Sequence, residues 1–213
     1  DCTPYILTAW HCGEHTANQN LSGYTWYWNY QKSTCQPNSN QSNPWTGNQS
    51  MINGTVRSSS GSGTLNNPPN TSMYQVAGSD FTLVELGSNI PSSYGAYYAG
   101  WDKGSALKSS GVSIHHPNGS AKKISTFTTY LLTDTYNGGA FNAHWEVFWS
   151  ATTNGHGVTE PGSSGAPIFD QNKRIVGQLS GGSSICGSNP DSDLYGKFSS
   201  NWTSNGNNSS LSL

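Results

Sequence analysis

Charged side chains are scarce in this sequence, and basic ones especially so. Asp, Glu, Lys and Arg make up 9% of its 213 residues, with 9 basic side chains against 11 acidic ones and a net charge of -2. A nucleic-acid binder needs a cationic surface that releases counterions from phosphates. The composition therefore excludes a polybasic nucleic-acid-binding protein, and no nucleic-acid partner is expected.

Long apolar runs are also missing. No segment approaches the roughly 18 apolar residues that a membrane-spanning helix needs. The first residues, DCTPYILTAWHC, do not form a basic region followed by an apolar stretch and a cleavage site. No membrane partner is predicted.

Cysteines are few, and their spacing does not suit a metal site. Cys2, Cys12, Cys35 and Cys186 form no CxxC pair and no finger-type cluster with histidine, so structural zinc is not expected, and no metal site is predicted. Low charge, four cysteines and abundant Ser, Asn, Gly and Thr are typical of a secreted, extracellular protein that is stabilised by disulfides. Spacing leaves their pairing open.

The sequence does contain many aromatic side chains and many short strand-like runs. Its 8 Trp, 11 Tyr and 6 Phe can build a sizeable core. The apolar runs, punctuated by Gly, Asn, Ser and Pro, predict strands at Tyr5–Ala9, Tyr24–Tyr30, Ser72–Val76, Phe81–Leu86, Val112–His115, Lys123–Leu132, Trp145–Trp149, Ala166–Phe169 and Arg174–Leu179. No stretch sustains helical periodicity over three turns, so an all-β sandwich or barrel is predicted.

Three segments are predicted to contain neither strands nor helices. Two Ser, Asn, Gly and Pro tracts, Gln36–Asn53 and Arg57–Asn70, are predicted to be long surface loops, and Asn201–Leu213 is predicted to be a tail.

Three short segments carry residue types that suit nucleophilic catalysis. His11 ends the apolar run Ile6–Trp10, Asp80 opens the apolar strand Phe81–Leu86, and Ser164 stands between glycines in Gly162-Ser163-Ser164-Gly165. A serine hydroxyl needs an imidazole to accept its proton, and the imidazole needs a buried carboxylate to fix its tautomer. His11, Asp80 and Ser164 supply these groups.

The glycines around Ser164 have a second use. Gly162 and Gly165 allow the backbone to bend, so the amide N–H groups of Gly162 and Ser164 could point together at a developing oxyanion. We therefore predict an oxyanion hole formed by Gly162 and Ser164.

These segments resemble a known family. Thr8-Ala9-Trp10-His11-Cys12, Ser79-Asp80-Phe81-Thr82-Leu83-Val84 and Gly162-Ser163-Ser164-Gly165-Ala166-Pro167 are similar, in that order, to the signature segments of trypsin-like serine proteases. The resemblance is closest to bacterial lysyl endopeptidases of the Achromobacter protease I type. It is carried further by the segments Tyr27-Trp28-Asn29-Tyr30, Ala99-Gly100-Trp101-Asp102, Ile114-His115-His116-Pro117-Asn118 and Val176-Gly177-Gln178-Leu179.

The resemblance implies two antiparallel β-barrels with the catalytic groups in the cleft between them. It places His11 and Asp80 in an N-terminal barrel half at 1–92, Ser164 and the specificity pocket in a C-terminal half at 93–205, and a tail at 206–213. In the family, about two strands and several cysteine partners precede the histidine strand. The expectation is therefore an N-terminally truncated protease whose first barrel lacks its first strands and whose Cys12, Cys35 and Cys186 would bond upstream.

The resemblance also implies a specificity pocket for a basic side chain. Asp193 stands at the position of the family's pocket aspartate, with Gly181 and Gly182 as the pocket wall, and Asp191 is the rival acid. Ser180 occupies the position of a family histidine, and Tyr136 is the best match to a family tryptophan. A carboxylate in a cleft favours a long cationic side chain, so the implied substrate is a peptide or protein cleaved after Lys, with Arg left open.

Some of these residues allow other interpretations. Asp102 and Asp134 are rivals to Asp80. His11-Cys12-Gly13-Glu14-His15 matches an inverted zinc-peptidase pattern, but that site needs a helix, which Gly13 disfavours.

Further alternatives concern residues outside the three segments. His115-His116 is interpreted as structural or exposed, Glu146 and Glu160 could form a glycosidase pair, and the aromatic residues could belong to a carbohydrate-binding sandwich. The prediction is a secreted, monomeric serine endopeptidase that needs no cofactor. The alternative is a catalytically inactive, protease-like binding module.

Overall fold

The computed structural model describes residues 3–13, 21–34, 49–61, 76–187 and 191–207. Short strands dominate it, as expected for a chain whose apolar runs are interrupted every few residues by Gly, Asn, Ser or Pro. The strands are β1 (Tyr5–Ala9), β2 (Thr25–Tyr27), β3 (Ser50–Ile52), β4 (Gly54–Ser59), β5 (Phe81–Leu86), β6 (Gly111–His115), β7 (Lys123–Phe127), β8 (Leu132–Asp134), β9 (His144–Phe148), β10 (Ala151–Thr152), β11 (Gly155–His156), β12 (Pro167–Asp170), β13 (Ile175–Gly182) and β14 (Ser192–Lys197).

Among the described residues, helical structure is limited to short pieces. Three 3₁₀ turns lie there, at Trp10–Gly13, Ser92–Tyr94 and Pro117–Gly119, and one α-helix, α1, runs from Phe198 to Asn207. Within the described ranges, no helix has the length and hydropathy that a membrane crossing requires.

The N-terminal half is built on a three-stranded antiparallel sheet of order β1-β5-β4. In β5 the alternating side chains of Thr82, Val84 and Leu86 share one buried face, and Phe81 on the opposite face is buried as well. The register pairs Ala9 with Phe81 and Tyr5 with Glu85. The end of β1 and the start of β5 therefore lie side by side.

The C-terminal half is a seven-stranded antiparallel sheet of order β7-β6-β12-β13-β14-β9-β8. Its core is a cluster of buried apolar and aromatic side chains: Phe127, Leu131, Trp145, Val147, Trp149, Ile168, Val176, Leu179 and Tyr195. Strand β13 is buried along 176–180, because it packs inside its own sheet and against the N-terminal half. Two further pairs, β2-β3 and β10-β11, form small separate sheets.

The all-β prediction is confirmed, and β1 and β5 begin and end where the sequence predicts. The predicted run Lys123–Leu132 is divided into β7 and β8, and the predicted loop tracts contain β3 and the end of β4. Of the predicted strand Ser72–Val76, residues 72–75 lie outside the described part.

The predicted tail is wrong where it overlaps α1, because residues 201–207 are helical. The sequence FSSNWTSNGN has no repeating apolar face, so the helix depends on aromatic contacts. Trp101 stacks on Phe198 with ring centroids 5.2 Å apart and lies 5.0 Å from the Trp202 ring.

Candidate active site

His11 and Asp80 meet at one end of the N-terminal sheet. β1 ends at Ala9 and His11 follows in a 3₁₀ turn, while Asp80 directly precedes β5, so the antiparallel pairing of Ala9 with Phe81 brings the two side chains together. The His11 Nδ1 atom lies 2.8 Å from Asp80 Oδ2. If Nδ1 carries the proton for this bond, the Nε2 atom is left as the acceptor that a general base needs.

Asp80 is held in place by several backbone bonds. It is fully buried, and its φ of 59° lies in the left-handed region that non-glycine residues rarely adopt. Its N–H donates to Ala77 O at 2.8 Å, its carbonyl accepts from Trp10 N at 3.0 Å, and Oδ1 accepts from His11 N at 3.1 Å. The carboxylate thus contacts both the ring and the backbone of His11.

The turn that carries Ser164 packs directly on β1. Gly165 is buried with a φ of +80°, and a Cβ on it would overlap Thr8 Oγ1 and lie 2.9 Å from Ala9 N. Only glycine can approach the β1 backbone this closely, and the Gly165 N–H is fixed to Leu179 O at 2.8 Å. This contact sets Ser164 beside the strand that leads into His11.

The Ser164 hydroxyl is half-buried and makes no hydrogen bond to any described residue. Catalytic hydrogen bonds are often open in unliganded enzymes and close when substrate binds. The structure therefore brings His11 and Asp80 into contact and places Ser164 near them without joining its hydroxyl to His11.

The backbone before Ser164 leaves two amides available. Ser163 N donates to Glu160 O at 3.0 Å and Ala166 N donates to Ser163 O at 3.0 Å, whereas the N–H groups of Gly162 and Ser164 donate to no described residue. Gly162 has a φ of +90°. Unused donors flanking a candidate nucleophile are what an oxyanion site requires.

A buried histidine supports this turn from behind. His115 Nδ1 lies 2.9 Å from Ser163 Oγ, and Nε2 lies 3.1 Å from Ser125 Oγ, which itself donates to Val158 O at 2.8 Å. Burial lowers the pKa of His115 from 6.5 to about 4, and the positive charge of His116 is a smaller cause. His115 is thus a neutral structural group at ordinary pH.

Asp193 is a second buried carboxylate, 1% exposed, on β14. Its Oδ2 atom accepts hydrogen bonds from Trp149 Nε1 at 2.6 Å, Thr159 Oγ1 at 2.7 Å and Ser184 Oγ at 2.5 Å. Oδ1 accepts only Ser184 N, at 3.3 Å. These donors are neutral, and no cation from the described part of the chain contacts the carboxylate.

The predicted pocket wall lies next to this carboxylate. A Cβ on Gly182 would overlap Asp193 Oδ1, and one on Gly181 would overlap the hydroxyl of Tyr136. Burial, followed by the charges of Asp80 and Asp193, raises the pKa of Tyr136. Tyr136 therefore lies beside Gly181 of the predicted pocket wall.

Ser180 and Asp191 complete the predicted pocket residues. Ser180 is buried, and its Oγ has no hydrogen-bond partner among the described residues. Asp191 is half-buried, in contrast to Asp193. Asp193 is therefore the more buried of the two candidate pocket acids.

The rival carboxylates have other partners. Asp102 Oδ2 accepts from Lys108 Nζ at 2.6 Å, and this bond, with a second from Gly104 N, lowers the pKa of Asp102. Asp134 is exposed and accepts the N–H of Thr135 at 2.7 Å. Neither of these bonds involves His11.

The metal and glycosidase alternatives find no support in the geometry. His11 lies in a 3₁₀ turn instead of an α-helix, and Glu14 and His15 lie outside the described residues. The described ranges contain no group of His, Cys, Asp and Glu suited to a metal ion. Glu146 accepts from Ser192 Oγ at 2.7 Å, and Glu160 accepts from Asn118 Nδ2, so both serve local structure.

The implied bonds of Cys12 and Cys186 to cysteines upstream of Asp1 stay predictions. No disulfide joins two described residues, and Cys186 is exposed. Cys2 and Cys35 lie outside the described residues, so their pairing stays a prediction.

Sequence analysis missed the supporting residues of the site. Trp149, Thr159 and Ser184 surround Asp193, and Gln178 and Asn201 bond to the segment that carries Asp80. Except for Ser184, which is nine residues from Asp193, they are distant in sequence from the carboxylates that they support. The adjacency of Thr159 to the Ser164 turn was the one available hint.

Comparison with known proteins places this geometry in a family. Residues 1–196 match the family described as the C-terminal domain of lysyl endopeptidase. The chain belongs to this lysyl endopeptidase family. It is 33% identical over 134 residues to the lysyl endopeptidase of Pseudomonas aeruginosa. This match covers 60% of the chain and only 27% of that protein. The chain therefore spans about a quarter of the length of this curated relative.

Solved structures show the same fold at lower identity. A Glu endopeptidase is 20% identical with a TM-score of 0.51, and the match covers 92% of this chain and 76% of that one. Kallikrein-related peptidase 10 is 15% identical with a TM-score of 0.54, and the match covers 93% of this chain and 81% of that one. These likenesses establish a trypsin-like fold for the lysyl endopeptidase family member described here.

Proposed function

We propose that the chain is the catalytic domain of a serine endopeptidase that cleaves peptide bonds after lysine. Ser164 is the nucleophile, His11 is the general base and then the general acid, and Asp80 orients and stabilises the His11 imidazolium. The Gly162 and Ser164 amides bind the oxyanion. The His11–Asp80 hydrogen bond, made by a fully buried carboxylate beside the Ser164 turn, is the observation that carries the proposal.

The reaction balances without any cofactor. Ser164 Oγ bonds to the substrate carbonyl carbon as its proton moves to His11 Nε2, and the C–N bond then breaks as His11 returns that proton to the leaving amine. Water, deprotonated by His11, then attacks the acyl-enzyme and releases the acid and the Ser164 hydroxyl. Asp80 remains ionised throughout.

Preference for a basic side chain is supported by Asp193. An ionised carboxylate removed from water is stabilised strongly by a cation at close range, because the local dielectric is low. The described contacts of Asp193 are all neutral donors. A lysine ammonium of the substrate would supply the missing positive charge.

The arrangement of these donors favours Lys over Arg. Oδ2 already accepts three hydrogen bonds, which fills its acceptor capacity, whereas Oδ1 accepts one long bond. A guanidinium binds best when two parallel N–H groups reach two carboxylate oxygens. A single ammonium needs only the open oxygen.

Extracellular action on peptide or protein substrates forms part of the proposal. It is supported by the low charge and polar composition of the chain.

The test is steady-state hydrolysis of matched peptide substrates that differ only in Lys, Arg or Gln before the scissile bond. Ser164→Ala should lower kcat on the Lys substrate by about 10⁶-fold, since nothing replaces the nucleophile. Ser199→Ala, which changes another half-buried serine outside the Ser164 turn, should leave kcat unchanged. A wild-type chain that binds peptides without turning them over would instead be an inactive protease-like binding module.

A further inference from the structure

We propose that Gln178 and Asn201 are positioning residues for the catalytic carboxylate, so that the C-terminal helix α1 helps to set the geometry of Asp80. This inference rests on the proposed function. Both residues are fully buried and lie far from Asp80 in sequence, Gln178 on β13 and Asn201 on α1. Neither makes a hydrogen bond to His11 or Ser164, so their effect must pass through the backbone of Asp80.

The contacts form a closed ring of side chains around the residue that precedes Asp80. Gln178 Nε2 donates to Ser79 O at 2.9 Å, Asn201 Nδ2 donates to Gln178 Oε1 at 2.7 Å, and Ser79 Oγ donates to Asn201 Oδ1 at 2.7 Å. The ring starts and ends on Ser79. A longer contact of 3.4 Å joins Gln178 Nε2 to Asp80 O.

The hydrogen-bonded ring stabilises the backbone at Asp80, which adopts an uncommon conformation. A non-glycine residue at φ 59° is strained and persists only where neighbouring structure fixes it. The carbonyls of Ser79 and Asp80 are the groups that would turn if this conformation relaxed. A donor from β13, locked in turn by α1, holds them and thus keeps the carboxylate facing His11.

The ring is also tightly enclosed. A Cβ added to Gly196 of β14 would overlap both Ser79 O and Gln178 Nε2. Because protein cores do not deform continuously, loss of one donor would shift the whole segment instead of one atom. Misplacement of a catalytic group by about 1 Å can reduce turnover by about 10²-fold.

The test is Gln178→Met, which keeps the side-chain length but removes both amide functions. We expect kcat on the Lys substrate to fall by about 10²-fold with KM nearly unchanged. The proton NMR resonance of His11 Nδ1–H, which reports the bond to Asp80, should shift or broaden. Val176→Ala, a buried truncation on the same strand, should lower the Tm without moving that resonance or kcat.

Each outcome decides the matter. Unchanged kcat and an unchanged His11 resonance in a folded Gln178→Met variant would overturn the proposal, as would losses equal to those of Val176→Ala. If Gln178→Met does not fold, Ser79→Ala, which removes one hydroxyl of the ring, is measured in the same way and should lower kcat by a smaller factor. An inert wild-type chain would refute the proposed function alone, because the His11 resonance still reports whether the ring positions Asp80.

Discussion

Asp80 and Asp193 carry two carboxylates that are almost equally buried but are surrounded by different kinds of groups. The Asp80 carboxylate contacts both the ring and the backbone N–H of His11, and the preceding residue, Ser79, is bonded to Gln178 and Asn201. Asp193 is surrounded by an indole, two hydroxyls and one amide, all neutral. The first carboxylate is satisfied from within the chain, whereas the second has a charge that nothing in its described surroundings balances.

The difference indicates different roles. A carboxylate whose partner is a titratable ring can stabilise a charge that appears and disappears during a reaction. A carboxylate held only by dipoles is prepared for a cation that arrives from outside. We therefore expect Asp80 to control kcat and Asp193 to control which substrate is accepted.

Of the two carboxylates, Asp80 has the larger expected effect. Asp80→Asn should lower kcat by about 10⁴-fold, because an amide can hold His11 in the wrong tautomer and cannot stabilise the imidazolium. The ratio of kcat/KM for Lys and Gln substrates should stay unchanged. This comparison is made from steady-state kinetics on the two substrates, and a change in preference with little loss of kcat would reverse the assigned roles.

Asp193→Asn should produce the opposite pattern. kcat/KM on the Lys substrate should fall by roughly 10²- to 10³-fold, since a buried charge pair would lose one partner, while hydrolysis of the Gln substrate should fall little. Asp191→Asn is the matched control, two residues away and less buried. An equal loss in Asp191→Asn would transfer the pocket role to that residue.

A smaller effect should appear in stability as a function of pH. His115 contacts Ser163 in the Ser164 turn. The ring of His144 lies 5.9 Å from the ring of Tyr136. Burial lowers the pKa of each histidine from 6.5 to about 4. For His144 the nearby charge of Lys197 lowers the pKa further, by a smaller amount. Both therefore stay neutral in the folded chain over a range in which the unfolded chain is protonated.

The sign of the pH effect follows from this difference. Between pH 6.5 and 4 the unfolded state binds more protons, so the free energy of unfolding should decrease as pH falls through that window, by up to about 1.4 kcal/mol per pH unit for each histidine. Above pH 6.5 this contribution is complete. Denaturant titrations at several pH values measure it, and His115→Gln should flatten the slope. A slope identical to wild type would show that His115 is not the group responsible.

Much of the Asp80 region could be predicted from sequence. Apolar runs locate β1 and β5, and their pairing brings His11 and Asp80 together because each stands at the paired end of its strand. The bent backbone at Ser164 could also be predicted, because Gly162 and Gly165 stand on either side of it in the sequence. Local pattern and tertiary position agree at these residues.

The Asp193 region was harder to predict. Its partners Trp149, Thr159 and Ser184 come from separate parts of the chain, and no local pattern shows that they meet. The helix α1 was missed for the same reason, since Trp101 and not its own periodicity stabilises it. Long-range contacts decide both features.

Covalent labelling with a serine-directed fluorophosphonate, mapped by mass spectrometry of tryptic peptides, tests the central claim most directly. The account predicts that the wild-type chain is labelled on Ser164 and that His11→Ala abolishes rapid labelling, because the hydroxyl reacts only when the imidazole accepts its proton. Labelling on another residue, or equally fast labelling in His11→Ala, would contradict it.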